Sequence, residues 1–71
     1  MSIKLGSTIK ALREERNLSK EEFAKKIKVT VNYIYLLESD KRTPRISGLE
    51  RIANALGVSM AAIIRAAEGT K

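Results

Sequence analysis

The stretch SKEEFAKKIKVTVNYIYLLES, residues 19–39, predicts two short helices joined by a turn of three or four residues. Ser19 is placed to cap the first helix, and Glu22, three residues later, completes a capping box with it. This helix is predicted over Lys20–Ile27, where Phe23 begins an apolar face with helical spacing. The stretch therefore starts with an amphipathic helix that needs a core to pack against.

The second helix of the stretch is predicted to begin at Val31, with Thr30 as its N-cap, and to run to about Ser39. Successive helical residues step by about 100°, so Ile34 and Leu37 share one face, which we assign to the core. The outward face then carries Asn32, Tyr35, Leu36 and Ser39, with Val31 and Tyr33 at its margins.

Two helices joined by a short turn, the second presenting a face outward, form the helix-turn-helix pattern. A helix fits the major groove of DNA, where asparagine pairs with adenine and apolar groups touch the thymine methyl. The hydroxyl before the helix and the cations after it suit phosphates. The alternative is that Tyr33, Tyr35 and Leu36 cover neighbouring core, and the sequence leaves both interpretations open.

The rest of the chain predicts three further helices, which gives an all-α fold in a single domain over residues 1–71. The first helix is expected at about Leu5–Arg16, and Asn17 suits the left-handed residue that ends it. The other two are expected from Ile46 or Ser47 to Gly57, and from Met60 to about Ala67, with Gly69 as the stop.

The composition favours a polyanionic partner. Fourteen Lys/Arg against eight Asp/Glu give a formal charge of +6 and a pI near 10. An excess of this size favours nucleic acid first and an anionic membrane surface second, although charge also serves solubility. The chain has no cysteine or histidine, so no disulfide, metal or cofactor is predicted. An enzyme is disfavoured because no nucleophile or metal pattern is present.

Residues 18–60, LSKEEFAKKIKVTVNYIYLLESDKRTPRISGLERIANALGVSM, resemble the Cro/lambda-repressor-type helix-turn-helix domain, the XRE family. The match extends upstream through IKALREERN, residues 9–17. The agreement includes the Phe-Ala pair, the Ile-x-x-Leu-Glu segment, the basic-Pro connection and the closing Ala-x-Ala-Leu-Gly-Val-Ser. The resemblance implies a compact five-helix lambda-repressor-like domain whose third helix enters the major groove. It implies a sequence-specific transcriptional regulator, of repressor or controller type, that binds a palindromic operator as a homodimer.

The resemblance also assigns roles to individual residues. The base-reading positions fall on Val31, Asn32 and Leu36, with Tyr35 close by. The phosphate contacts fall on Lys20, Thr30, Tyr33, Lys41, Arg42 and Arg45. Arg13 and Glu38 match a paired arginine and glutamate that would join the first helix to the end of the third and orient it.

This chain departs from the family pattern at two kinds of position. Lys28 replaces the glycine usual in the turn, and Asp40 replaces the glycine usual after the third helix. Both positions are expected to need a left-handed residue. Val31 and Leu36 replace polar residues common at reading positions, which shifts the expectation toward methyl contacts, DNA shape and backbone electrostatics.

We expect no separate dimerisation domain in 71 residues, so the fifth helix is the candidate for dimerisation. Ile63 and Met60 are expected to face inward, which leaves Ala61, Ile64 and Ala67 as possible contacts. The alternative is that these residues only complete the core. A two-fold dimer would read two half-sites about one helical turn apart.

A protein-interaction module is the competing function, with the apolar Tyr35/Leu36 face docking a protein. Double-stranded DNA and a second copy of the chain are the expected partners, and RNA polymerase or a cognate toxin protein are further candidates. Short regulators of the family include phage repressors, restriction–modification controllers and antitoxins. No membrane-spanning segment or signal peptide is recognisable, so we expect a cytoplasmic protein at a bacterial, phage or archaeal nucleoid.

Overall fold

The computed structural model describes residues 4–69, which form five α-helices and no strand. Their bounds are α1 Gly6–Glu15, α2 Lys20–Ile27, α3 Val31–Glu38, α4 Ile46–Leu56 and α5 Met60–Gly69. The all-α, five-helix prediction is confirmed. None of these helices has the length and apolar content needed to cross a membrane.

Each helix contributes at least one fully enclosed side chain to a single core. The buried hydrophobic residues are Ile9, Phe23, Ala24, Ile27, Ile34, Leu37, Leu49, Ile52, Ala53, Leu56 and Ile63. Helices of eight to eleven residues are marginal in isolation, so this shared core is what holds them in the helical state. Burying one large aliphatic or aromatic side chain contributes about 1.5–3 kcal/mol.

The predicted N-caps at the start of α2 and α3 are confirmed. The Ser19 hydroxyl oxygen accepts the Glu22 N–H at 3.0 Å, and the Glu22 carboxylate accepts the Ser19 N–H at 2.8 Å. At α3, the Thr30 hydroxyl oxygen accepts the Tyr33 N–H at 3.1 Å. These bonds fix where both helices begin. The turn between them runs from the left-handed C-cap of α2, Lys28, to the N-cap of α3, Thr30.

Three non-glycine residues adopt the left-handed conformation expected of them. Asn17 has φ 56°, Lys28 has φ 60° and Asp40 has φ 63°. The Asp40 carboxylate also accepts the backbone N–H of Gly6 at 2.9 Å. An aspartate after α3 therefore ends that helix and caps α1, a contact between positions 34 residues apart.

Three predicted boundaries were off by one or two residues. α1 begins at Gly6 and ends at Glu15, rather than spanning Leu5–Arg16. α3 ends at Glu38, and the next residue serves as its C-cap. α5 continues through Gly69, because this glycine does not take the positive φ that would end the helix before it.

Candidate nucleic-acid interface

The outward face of α3 consists of Asn32, Tyr35, Leu36 and Ser39. Asn32 and Ser39 are exposed, Tyr35 keeps 57% of its surface exposed, and Leu36 is half-buried. On the opposite side, Ile34 and Leu37 are buried to 0% and 1% exposure. The helix is thus anchored through one side and presents a short, uncharged surface on the other.

The two margins of α3 pack on the core. Val31 and Tyr33 are half-buried and lie against the buried cluster. Val31 therefore offers only part of its side chain to a partner, less than its expected base-reading position implies. Tyr33 packs against the core and also lines a cleft beside the loop after α3.

A lysine lies beside the outward face at the start of α2. Lys20 is half-buried, and its ammonium nitrogen sits 5.0 Å from the centroid of the Tyr35 ring. This is within the range of a cation–π contact. Thr30, the other residue expected at this end, is exposed while its hydroxyl oxygen caps α3.

A cationic cleft lies on the other side, between α3, the loop after it and α4. The cleft encloses about 230 Å³, and its cations are Arg42, Arg45 and Arg51; we call it the arginine cleft. The Arg42 guanidinium carbon lies 5.7 Å from the centroid of the Tyr33 ring. Lys41, the third cation expected in this loop beside Arg42 and Arg45, is exposed.

Arg51 is the member of the cleft that the sequence analysis missed. Its guanidinium donates to the carbonyl oxygen of Ile27 at 3.2 Å, which caps the end of α2 at the helix-turn-helix turn. Helical spacing offers a signal for it, since Ser47 and Arg51 are one turn apart on α4 and both line the cleft.

Arg13 and Glu38, which the resemblance pairs, are in direct contact. The Arg13 Nε donates to one carboxylate oxygen at 2.7 Å and Nη2 donates to the other at 3.2 Å. Both side chains are almost fully buried, at 6% and 5% exposure. Arg13 Nη1 also donates to the carbonyl oxygen of Leu18 at 2.7 Å. The hydrogen bonds that Arg13 donates to the Glu38 carboxylate raise the pKa of Arg13 above its usual range, because they stabilise the charged guanidinium.

The end of α3 is also fixed by a close backbone approach. A Cβ placed on Gly6 would lie 2.5 Å from the Glu38 carbonyl oxygen, so only glycine fits there without displacement. Asp40 accepts the Gly6 N–H and Glu38 accepts from Arg13, so each of these two carboxylates has an internal partner.

The exposed side of α5 carries the residues expected at a dimer contact. Ile63 is fully buried, whereas Ile64 is 36% exposed and Ala61 is exposed. Ala67 is half-buried, which places it at the edge of that side. Among the described residues, no group of three or more His, Cys, Asp or Glu side chains could hold a metal ion.

A family model described as helix-turn-helix matches residues 9–63. The chain is 38% identical over 60 residues to the immunity repressor protein of Bacillus phage phi105, covering 84% of this chain but only 42% of that relative. It is 34% identical over 61 residues to the control protein C.MunI of a Mycoplasma species, covering 84% of this chain and 82% of that protein.

Solved structures of regulators share the fold. The clp gene regulator ClgR of C. glutamicum superimposes with a TM-score of 0.89 at 25% identity, covering 94% of this chain and 86% of that chain. The restriction–modification controller protein C.Esp1396I gives a TM-score of 0.80 at 29% identity, covering 93% and 86%.

Proposed function

We propose that this chain, which belongs to the helix-turn-helix family of DNA-binding transcriptional regulators, binds a palindromic operator as a homodimer through the major groove. The observation that carries the proposal is the placement of α3. Its outward face is free, its inner side is fixed by Ile34 and Leu37, and cations lie on both flanks. The proposal includes no catalytic step.

The chemistry of the outward face of α3 suggests which base contacts each of its side chains would make. Asn32 carries the only side-chain amide there, and an asparagine pairs bidentately with the N6 and N7 edge of adenine. Tyr35 and Leu36 supply hydrocarbon for contact with thymine methyl groups. With one amide available for direct readout, we expect the remaining preference to come from DNA shape and deformability.

The flanking cations would bind the phosphate backbone. Lys41, Arg42 and Arg45 extend from the loop after α3, and Arg51 faces the same cleft from α4. Phosphate contacts fix the register of a protein on the duplex. Each phosphate that a cation neutralises makes the affinity fall more steeply as salt is raised. Arg13 and Glu38 would act indirectly, by holding the end of α3 against α1.

The direct test is selection of bound duplexes from a random pool, followed by measurement of affinity as salt is raised. We expect enrichment of an inverted repeat whose half-sites are about 10 base pairs apart. Affinity for the selected site should fall linearly with salt on logarithmic axes. Failure to enrich any sequence, together with salt-insensitive binding, would exclude a sequence-specific regulator.

The homodimer would form through the exposed side of α5. Ile64 and Ala61 lie there, and small residues permit close approach of two helices. Replacing Ile64 with glutamate is expected to shift the sedimentation coefficient at micromolar concentration from dimer to monomer. Ala62→Glu is the matched control, because this exposed residue lies about 160° around α5 from Ile64. A strict monomer before substitution, even on operator DNA, would contradict the two-fold model.

A second candidate function uses the same outward face of α3 to bind a protein instead of DNA. The 57% exposure of Tyr35 favours docking of a protein, such as RNA polymerase or a toxin, on hydrocarbon. Apolar docking is insensitive to salt, whereas phosphate binding is not. A partner retained at high salt and lost on Tyr35→Ser would support this second function over the first.

A further inference from the structure

Both tyrosines of the chain lie on α3, and each has a cation over its ring. Lys20 sits 5.0 Å from the Tyr35 centroid, and Arg42 sits 5.7 Å from the Tyr33 centroid. The two cations come from different elements, since Lys20 opens α2 and Arg42 lies in the loop after α3. The same arrangement is therefore built twice from separate parts of the chain.

The two pairs lie on opposite sides of α3. Tyr33 and Tyr35 are two residues apart, which is about 200° around a helix. Their different environments agree with this, because Tyr33 is half-buried beside the arginine cleft and Tyr35 is 57% exposed beside Lys20. Asn32 projects between them, so one ring and one cation border each side of the outward face.

The major groove is about 12 Å wide, and the two phosphodiester strands form its edges. A helix lying in the groove therefore has one strand on each side. Cations held on both sides of α3 would face both strands. A cation over a ring uses the ring face and keeps its remaining N–H donors, since an ammonium has three and a guanidinium five. The ring can therefore restrict the cation without consuming the donors that bind phosphate.

We propose that Tyr33 and Tyr35 are positioning residues for backbone binding: each ring holds one cation, Arg42 on one side of α3 and Lys20 on the other, toward phosphates of opposite strands. This inference rests on the proposed function. It gives Tyr35 a role different from the base reading expected of it, and it gives the ring of Tyr33, rather than its hydroxyl, the greater part in phosphate binding.

The test compares ring removal with hydroxyl removal. Tyr35→Leu and Tyr35→Phe would be measured by fluorescence anisotropy on a labelled random-sequence duplex and on the selected site, from about 50 to 200 mM salt. Loss of one phosphate contact reduces the logarithmic salt slope by about 0.9, so the affinity lost over this fourfold range becomes roughly 3.5-fold smaller. We expect the leucine variant to approach that change and the phenylalanine variant to keep the parent slope.

A double-mutant cycle identifies the cation through which each ring acts. In a Lys20→Met background, Tyr35→Leu is expected to cause no further change of slope. Tyr33→Leu in that background should still reduce it, because its partner is Arg42. Tyr33→Leu alters a half-buried residue, so circular dichroism melting checks its fold, while the more exposed Tyr35 provides the safer pair of variants.

The outcomes separate this inference from the function on which it rests. Steep salt dependence in the parent with an unchanged slope in Tyr35→Leu would overturn the inference alone. The inference is also overturned if Tyr35→Phe and Tyr35→Leu reduce the salt slope equally. It is overturned as well if Tyr35→Leu still reduces the slope in the Lys20→Met background. Salt-insensitive binding by the parent would overturn the proposed function and this inference together. Upfield ring-current shifts of the Lys20 methylene protons, retained in Tyr35→Phe, report the pair without DNA, and their absence would also overturn the inference.

Discussion

Replacing Glu38 with glutamine tests whether the contact between α1 and the end of α3 is a buried ion pair that stabilises the fold. Glu38 accepts two hydrogen bonds from Arg13, at 2.7 and 3.2 Å, and its side chain is 5% exposed. Glutamine keeps the shape and one acceptor, but it removes the charge and turns an amide donor toward a guanidinium donor. The substitution therefore leaves the buried guanidinium with only the exposed Glu14 carboxylate, 3.9 Å away, as a counter-ion.

The expected cost follows from that geometry. Removing one partner of a buried pair costs about 3–5 kcal/mol, and the retained acceptor places this substitution near 3 kcal/mol. For a domain of this size, about 4–8 °C is lost per kcal/mol, so the melting temperature should fall by about 12–24 °C. Urea denaturation and thermal melting followed by circular dichroism measure both quantities.

Glu14→Gln is the matched control, since it makes the same chemical change beside the same arginine. The Glu14 carboxylate lies 3.9 Å from Arg13, but its side chain is 58% exposed. We expect a change of less than about 0.5 kcal/mol, because exposed ion pairs contribute little. A Glu38→Gln variant that unfolds within about 1 kcal/mol of the parent would refute the reasoning, since the pair would then behave as an exposed one.

A double substitution separates the pair from the rest of the Arg13 contacts. Arg13→Met combined with Glu38→Leu removes both charges, and such replacements are often neutral. The carbonyl oxygen of Leu18 still loses its donor, so a residual cost of about 1 kcal/mol is expected. A double variant less stable than Glu38→Gln would show that the space between α1 and α3 does not accept apolar side chains.

Four further substitutions test single features. Lys28→Gly should raise the unfolding free energy by about 1 kcal/mol, because φ at this residue is 60°; a decrease in urea denaturation would contradict this. Gly6→Ala should cost about 2 kcal/mol by crowding the Glu38 carbonyl, and an unchanged melting temperature would contradict it. Asn32→Ala should reduce the preference for the selected site over random DNA by about 1–3 kcal/mol in competition binding; an unchanged ratio would remove it from the base readers. Lys41→Ala should weaken binding to all sequences and reduce the salt slope by about 0.9, and an unchanged slope would exclude a phosphate contact.

The sequence predicted the features of the fold that depend on neighbouring residues. The capping box of Ser19 and Glu22 and the Thr30 cap act over three residues, so their spacing is visible in the chain. Helical periodicity assigned Ile34 and Leu37 to the core for the same reason, since angle around a helix follows directly from position. The start of α1 and the end of α3 were predicted less exactly, because contact between these two helices sets them.

In the candidate interface, too, the sequence predicted the local features, and the tertiary structure decided the contacts between distant residues. Sequence alone predicted the outward side of α3 and the cations of the loop that follows it, because each is a local property of one segment. Only the tertiary structure placed Lys20 over Tyr35, Arg42 over Tyr33 and Arg51 at the end of α2. These contacts join residues 9 to 24 positions apart, and their geometry depends on how the helices pack. The sequence by itself thus predicted which surface this protein would offer to DNA, and packing decided how the side chains on that surface are held.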